Sequence, residues 1–96
     1  MVEIENLLYQ HPKVTDVAIV GMPDPRLGER ACAFVVPARP EELLSFVEMQ
    51  QFLQQAGVSR YYWPERLEFI DALPRNVVGK VQKMVLRERA AALVRS

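Results

Sequence analysis

"VTDVAIVGMPDPRLGERACAFVVP", residues 14–37, holds the pattern that decides the fold. Its first part, "VTDVAIV" (14–20), is rich in β-branched residues and ends at Gly21, as a buried strand does. "MPDPRLGE" (22–29) is loop chemistry, with two prolines and a glycine. "ACAFVV" (31–36) is a second β-prone run, closed by Pro37. A two-strand hairpin with a long connecting loop is therefore expected over residues 14–36.

The flanks on both sides change to helical period. Upstream, "VEIENLLYQHP" (2–12) sets Val2, Ile4, Leu7 and Leu8 among carboxylates, a short amphipathic helix stopped by Pro12. Downstream, Ser45 and Glu48 stand at capping-box spacing, and Phe46, Met49, Phe52 and Leu53 supply one apolar face. Gly57 is placed to end that helix. "RLEFI" (66–70) alternates as a third strand, and Val81 to Val94 carries Val81, Val85, Leu86 and Leu93 among Arg and Glu as a final amphipathic helix. The expected fold is α+β, a small three-stranded sheet with about three helices packed on it, in a single domain over residues 1–96. There is no internal repeat, low-complexity segment or linker.

Bulk composition narrows the function classes. Of 96 residues, half are hydrophobic and a quarter charged, the balance of a globular domain. Twelve basic and twelve acidic residues cancel, so no bulk field favours nucleic acid or an anionic membrane surface. A single cysteine cannot form an internal disulfide, which suits a reducing compartment. No apolar run approaches the roughly 18 residues needed to span a bilayer, and no signal-peptide pattern opens the chain. A cytoplasmic, soluble protein without a membrane span or nucleic-acid partner is expected.

Few residues carry chemistry on their own. Cys32, inside an apolar strand, reads as a buried structural thiol. His11 ends a helix, where a cationic imidazole suits the helix dipole, and a capping or surface role is expected. No metal-ligand spacing, Ser/His/Asp set or glycine-rich phosphate loop is present, so no metal site is expected. "RYYWP" (60–64) reads as an aromatic cluster packing a loop onto the sheet, with a ligand platform as the alternative, and Arg60 beside it could serve an anion. Gly21 and Gly28 serve backbone geometry. "PRNVVGKVQK" (74–83) is different. Gly79 permits an unusual backbone angle just before Lys80, at the junction of a loop with the last helix. By pattern alone, solvated charge and a functional lysine both remain open for Lys80. Lys83, further along, reads as solvated charge.

The order of three stretches, "VEIENLLYQHPKVTDVAIVGMPDPRLGERACAFVVP", "RYYWPERLEFIDALPRNVVGKVQK" and "LRE", resembles the C-terminal domain of the adenylate-forming enzyme superfamily. That superfamily includes acyl-CoA synthetases, aryl-acid adenylating enzymes, peptide-synthetase adenylation domains and luciferases. The resemblance runs from Val2 to about Ala92, and "LGERACAFVVP" with "YWPERLEFIDALPR" looks most like fatty or alicyclic acyl-CoA ligases. It implies a two-step ligase in which ATP and a carboxylic acid give an acyl-adenylate and pyrophosphate, and a thiol, usually of coenzyme A, then displaces AMP. It also implies a partner, the enzyme's own N-terminal domain, which binds ATP, Mg2+ and the acyl group while the C-terminal domain closes over it in two orientations. By that resemblance Lys80, in the "GK" motif, is the catalytic lysine of adenylation, and Gly79 supports its loop. Gly21 and Arg60 become candidate coenzyme A contacts.

Elementary electrostatics agrees with the role implied for Lys80. Bringing a carboxylate to an anionic α-phosphate concentrates negative charge in the transition state, where a compact ammonium is effective. A mobile mount lets the charge be withdrawn before the thiol step. Val78 and Tyr62 depart from the family's habit, which often has a small hydroxyl residue and a lysine at those two positions. The family's hinge and its glycine-containing thioester loop would lie before Met1, so a piece of a longer enzyme is expected. The alternative is a free-standing, non-catalytic module docking on a separate adenylating or carrier protein.

Overall fold

The computed structural model describes residues 2–24 and 28–95. In chain order they form α1 (Val2–Tyr9), β1 (Val14–Asp24), β2 (Gly28–Pro37), α2 (Phe46–Gln55), a one-turn 3-10 helix at Arg60–Tyr62, β3 (Arg66–Phe69) and α3 (Lys83–Arg95). The strands make one sheet in the order β1-β2-β3, antiparallel between β1 and β2 and parallel between β2 and β3. A parallel pair needs a crossover, and the segment carrying α2 supplies it. The α+β expectation holds.

Alternate residues of β1 and β2 feed two separate cores, one on each face of the sheet. On one face Val17 and Ile19 of β1 and Ala33 and Val35 of β2 pack with Ile4 and Leu8 of α1 and Met49 and Leu53 of α2. On the other, Ala18, Val20 and Met22 of β1 and Cys32 and Phe34 of β2 pack with Leu86 and Ala90 of α3. Burial on both faces explains why "VAIV" and "CAFVV" are continuous apolar runs rather than alternating ones.

The helix ends follow their sequence signals. The Ser45 hydroxyl accepts from the Glu48 N–H at 3.0 Å, and the Glu48 carboxylate accepts from the Ser45 N–H at 3.1 Å, a complete capping box. At the other end Gly57 takes φ +83°. Its N–H donates to the Gln54 carbonyl and that of Val58 to the Leu53 carbonyl, both at 3.0 Å, a Schellman closure.

Two expected boundaries are corrected. The hairpin loop is not long: β1 continues past Gly21 through Met22 to Asp24, and β2 starts at Gly28. Pro23 is tolerated because β1 is an edge strand, where a missing outward N–H breaks no ladder bond. Pro25, Arg26 and Leu27, the rest of the expected loop, lie outside the described residues. The last helix begins at Lys83 rather than Val81, because Val81 pairs back on Arg75 in an antiparallel bridge. Lys80 thus precedes the helix instead of opening it.

Candidate functional site

The bridge between Arg75 and Val81 closes a tight turn, and the Gln82 N–H reinforces it by donating to the Pro74 carbonyl at 2.8 Å. Asn76 organises the interior. Its side-chain Oδ1 accepts from the N–H of Val78 at 3.1 Å and of Lys80 at 3.0 Å. Its backbone N–H donates to the Lys80 carbonyl at 3.0 Å, and its carbonyl accepts from the Gly79 N–H at 2.9 Å. Gly79 makes this path possible with φ +87°, a region that L side chains rarely adopt.

The turn displays groups that the other described residues leave unused. Lys80 is exposed. Its ammonium has no hydrogen-bond or ion-pair partner among the described residues. Val77 and Val78 stand in solvent beside it, 104% and 82% exposed, so the tip offers a cation flanked by apolar surface. Such a projection suits insertion into a partner surface that supplies negative charge.

Under the tip lies a polar base. Arg75 Nη1 donates to the Gly79 carbonyl at 2.7 Å, and Nη2 meets Asp16 Oδ2 of β1 at 2.5 Å. The other Asp16 oxygen accepts from the Tyr9 hydroxyl of α1 and from the Val17 N–H. Burial pushes the Asp16 carboxyl up, but the Tyr9 hydroxyl and the Arg75 guanidinium outweigh it and hold the group below its ordinary value. Burial and the Asp16 contact both raise the Tyr9 phenol. The hydrogen bond to Asp16 raises Arg75.

A second tie sits where α3 begins. Lys83 Nζ lies 2.9 Å from Glu5 Oε2, which also accepts the outward N–H of Ile19 at 2.6 Å. Lys83 is therefore not the solvated charge that sequence suggests. Buried Glu5 needs a cation, and the first turn of α3 brings one.

The other sequence-predicted residues are scattered. Gly21 lies inside β1 opposite Ala31, a strand position rather than a strand end. Arg60 lies on the 3-10 turn with its guanidinium 5.8 Å from the centroid of the Trp63 ring, beside a cleft of about 410 Å³. The hydrogen bonds and ion pairs of the described residues join neither of them to the Lys80 turn. The aromatic cluster packs only in part. Trp63 is half-buried and donates Nε1–H to the Val58 carbonyl at 2.9 Å, whereas Tyr61 and Tyr62 are 96% and 66% exposed. The one-turn helix capped by Ser59 directs both tyrosines outward.

The surroundings of His11 favour its neutral form over the cation that a helix end would suit. Its Nδ1 accepts from the Lys13 N–H at 3.1 Å, and its ring meets Phe52 edge-on at 5.0 Å. Burial lowers its pKa, against an opposing pull from Glu48 and with a smaller push from Lys13. Cys32 is fully buried, and burial pushes its thiol up to about 11, as befits the structural role expected. Among the described residues no three His, Cys, Asp or Glu side chains converge as metal ligands.

Tyr9, Asp16 and Arg75 were not singled out by sequence. The available signal was a carboxylate inside a buried strand, "VTDVAIV", which demands a partner without naming it.

Comparison with known proteins gives a consistent neighbourhood. Residues 3–80 match the AMP-binding enzyme C-terminal domain. The chain is 45% identical over 86 residues to a medium-chain fatty-acid–CoA ligase of Escherichia coli strain K12, covering 90% of this chain and 15% of that protein. It is equally identical, 45% over 86 residues, to a 2,3-dihydroxybenzoate-AMP ligase of Bacillus subtilis strain 168, covering 90% of this chain and 16% of that one. Among solved structures it superimposes on a Mycobacterium tuberculosis fatty acyl CoA synthetase with a TM-score of 0.78 at 40% identity, covering 95% of this chain and 18% of that one. It thus spans less than a fifth of the length of each of these proteins.

Proposed function

The chain belongs to the AMP-binding enzyme C-terminal domain family, and from that premise we propose that it is the lid of an AMP-forming acid–thiol ligase in which Lys80 serves adenylation. One observation carries the reading. An ammonium without a partner among the described residues is mounted on a turn that Asn76 and Gly79 shape, with two exposed valines beside it. A solvated lysine needs no such mount.

In this reading a carboxylic acid and ATP, with Mg2+, occupy a separate ATP-binding domain, and the lid brings Lys80 to them. The ammonium balances the negative charge that builds as the carboxylate oxygen approaches the α-phosphate and pyrophosphate leaves. This chain supplies the charge and its placement. The metal ligands belong to the partner domain. Turning the lid then removes the ammonium before the thiol attacks.

For the acceptor we favour coenzyme A. The similarity to the E. coli ligase supports that choice, and the similarity to the B. subtilis enzyme supports an aryl acid activated by the same first step. Arg60 and Gly21 stay candidates for the coenzyme A contact, Arg60 the better placed because it is exposed beside a cleft.

The test uses the full-length enzyme carrying this chain, with the half-reactions assayed separately. Lys80→Ala is expected to slow acid-dependent pyrophosphate release by about 10²–10³ and to spare thioester formation from supplied acyl-adenylate. Arg87→Ala, an exposed site on α3, serves as the charge control. Similar losses in both half-reactions, or no loss in either, would overturn the role of Lys80. Turnover only with a phosphopantetheinylated carrier protein would overturn the choice of coenzyme A.

A further inference from the structure

We infer that Arg75 is a positioning residue for Lys80, tying the peptide plane that leads into the lysine to an anchor built from Asp16 and Tyr9. The inference rests on the adenylation role proposed for Lys80.

The peptide that joins Gly79 to Lys80 is held from both sides. Its carbonyl oxygen accepts from Arg75 Nη1 at 2.7 Å, and its N–H donates to Asn76 Oδ1 at 3.0 Å. A peptide unit is planar, so fixing both polar ends fixes the plane. The Lys80 carbonyl, which accepts from the Asn76 N–H at 3.0 Å, restrains the other side of the Cα, and together they set the direction in which the Lys80 side chain departs. Asn76 belongs to the turn itself and moves with it. Among the described residues Arg75 alone carries the restraint on this peptide outward, because its second nitrogen binds Asp16 on β1, 59 residues away in sequence.

The anchor is firm. One Asp16 oxygen faces Arg75, while the other accepts from the Tyr9 hydroxyl and the Val17 N–H. Val17 is buried in the core on the α1 face. The strand shifts register between Val14 and Asp16, an irregularity where bulges re-aim side chains. At the other foot of the same segment, Lys83 binds Glu5, which also caps Ile19. Both ends of the segment carrying Lys80 therefore rest on α1 and β1.

A purely structural role fits these facts less well. Arg75 keeps 41% of its side-chain surface, so the guanidinium side of the pair is open to water, and Asp16, at 17%, keeps the Tyr9 hydroxyl and the Val17 N–H as donors when Arg75 is removed. What the pair fixes is the orientation of one turn. The planar fork suits that task, since it serves two acceptors in different directions, which an ammonium does with less geometric control.

Full-length enzyme carrying Arg75→Met, Arg75→Lys, Lys80→Ala or the Arg75→Met/Lys80→Ala pair would be assayed in the separate half-reactions and by thermal unfolding. Arg75→Met is expected to slow adenylation about 10- to 10²-fold, the scale of a displaced catalytic group, and to spare thioester formation from supplied acyl-adenylate. Arg75→Lys should recover part of the loss. The double variant should be no slower than Lys80→Ala alone, because a residue acting through Lys80 has nothing left to position. Multiplying losses in the double variant, equal losses in both half-reactions, or a large drop in melting temperature would overturn the inference. So would normal adenylation by Arg75→Met where Lys80→Ala is impaired, which leaves the function of Lys80 standing. Normal adenylation by Lys80→Ala would remove that function and this inference together.

Discussion

Replacing Gly57 and Gly79 by alanine, one at a time, separates the energy stored in a helix end from the geometry of the Lys80 turn. The two glycines have nearly the same backbone, φ +83° and +87°, and a Cβ built on either meets no atom within 4 Å. Neither substitution therefore has a packing cost, and both are charged only for the left-handed backbone. That penalty is about 1–2 kcal/mol for an L residue. The smaller entropy of the unfolded alanine chain returns about 0.4–1 kcal/mol, leaving a net loss of about 1 kcal/mol. At Gly57 the loss must appear in full. The Gly57 and Val58 N–H bonds and the fully buried Leu53 hold the backbone where it is. At Gly79 the turn is exposed and has a second option, to relax its dihedrals and let Lys80 shift. The expected signatures are crossed. Gly57→Ala lowers stability by about 1 kcal/mol and leaves adenylation per folded enzyme unchanged. Gly79→Ala loses at most that much stability but slows adenylation about 10-fold or more, as misplacing a catalytic group does. Denaturant midpoints at constant slope report the first quantity and pyrophosphate release the second. A more stable Gly57→Ala protein would refute the backbone argument. Equal effects of the two variants on adenylation would refute the special status of the turn.

Two predictions concern titratable groups, one half-buried and one fully buried. Because the folded pKa of His11 lies below its ordinary 6.5, folding stability from this group is complete above about pH 6.5 and is lost as pH falls toward the folded value. Denaturant midpoints from about pH 7.5 to about pH 5.5 should therefore fall, and His11→Gln should flatten the trend; a His11-dependent rise on acidification would mean the imidazolium is favoured instead. Cys32, with its thiol near 11 and no exposed surface, should react with a disulfide reagent only as fast as the protein unfolds, and rapid labelling under native conditions would contradict its burial.

Most of the fold was legible because its determinants are local. The capping box at Ser45 and Glu48 and the glycine closing α2 lie within one helix and its ends. The misread features depend on neighbours distant in sequence. Pro23 looked like loop chemistry, but it is a strand residue once β1 is known to be an edge. His11 looked like a cation at a helix end until α2 laid Phe52 against its ring. Tyr61 and Tyr62 looked like core because aromatics usually are, yet Ser59 starts a turn that points them outward.

The same division runs through the candidate site. Asn76, Gly79 and Lys80 span five residues, so the turn that mounts the lysine can be read from its own motif. Its anchor cannot. In the sequence Glu5 and Asp16 are only carboxylates among apolar neighbours, and a carboxylate withdrawn from water requires hydrogen-bond donors or a cation. That requirement says a partner exists. Twelve basic residues could answer it, and nothing local ranks Arg75 or Lys83 first. The choice is made when α3 packs on the face of β1 opposite α1, which carries the segment before it to the same edge as Glu5, Tyr9 and Asp16. The packing of Leu86 and Ala90 in the second core therefore helps decide where Lys80 points, although neither residue is charged.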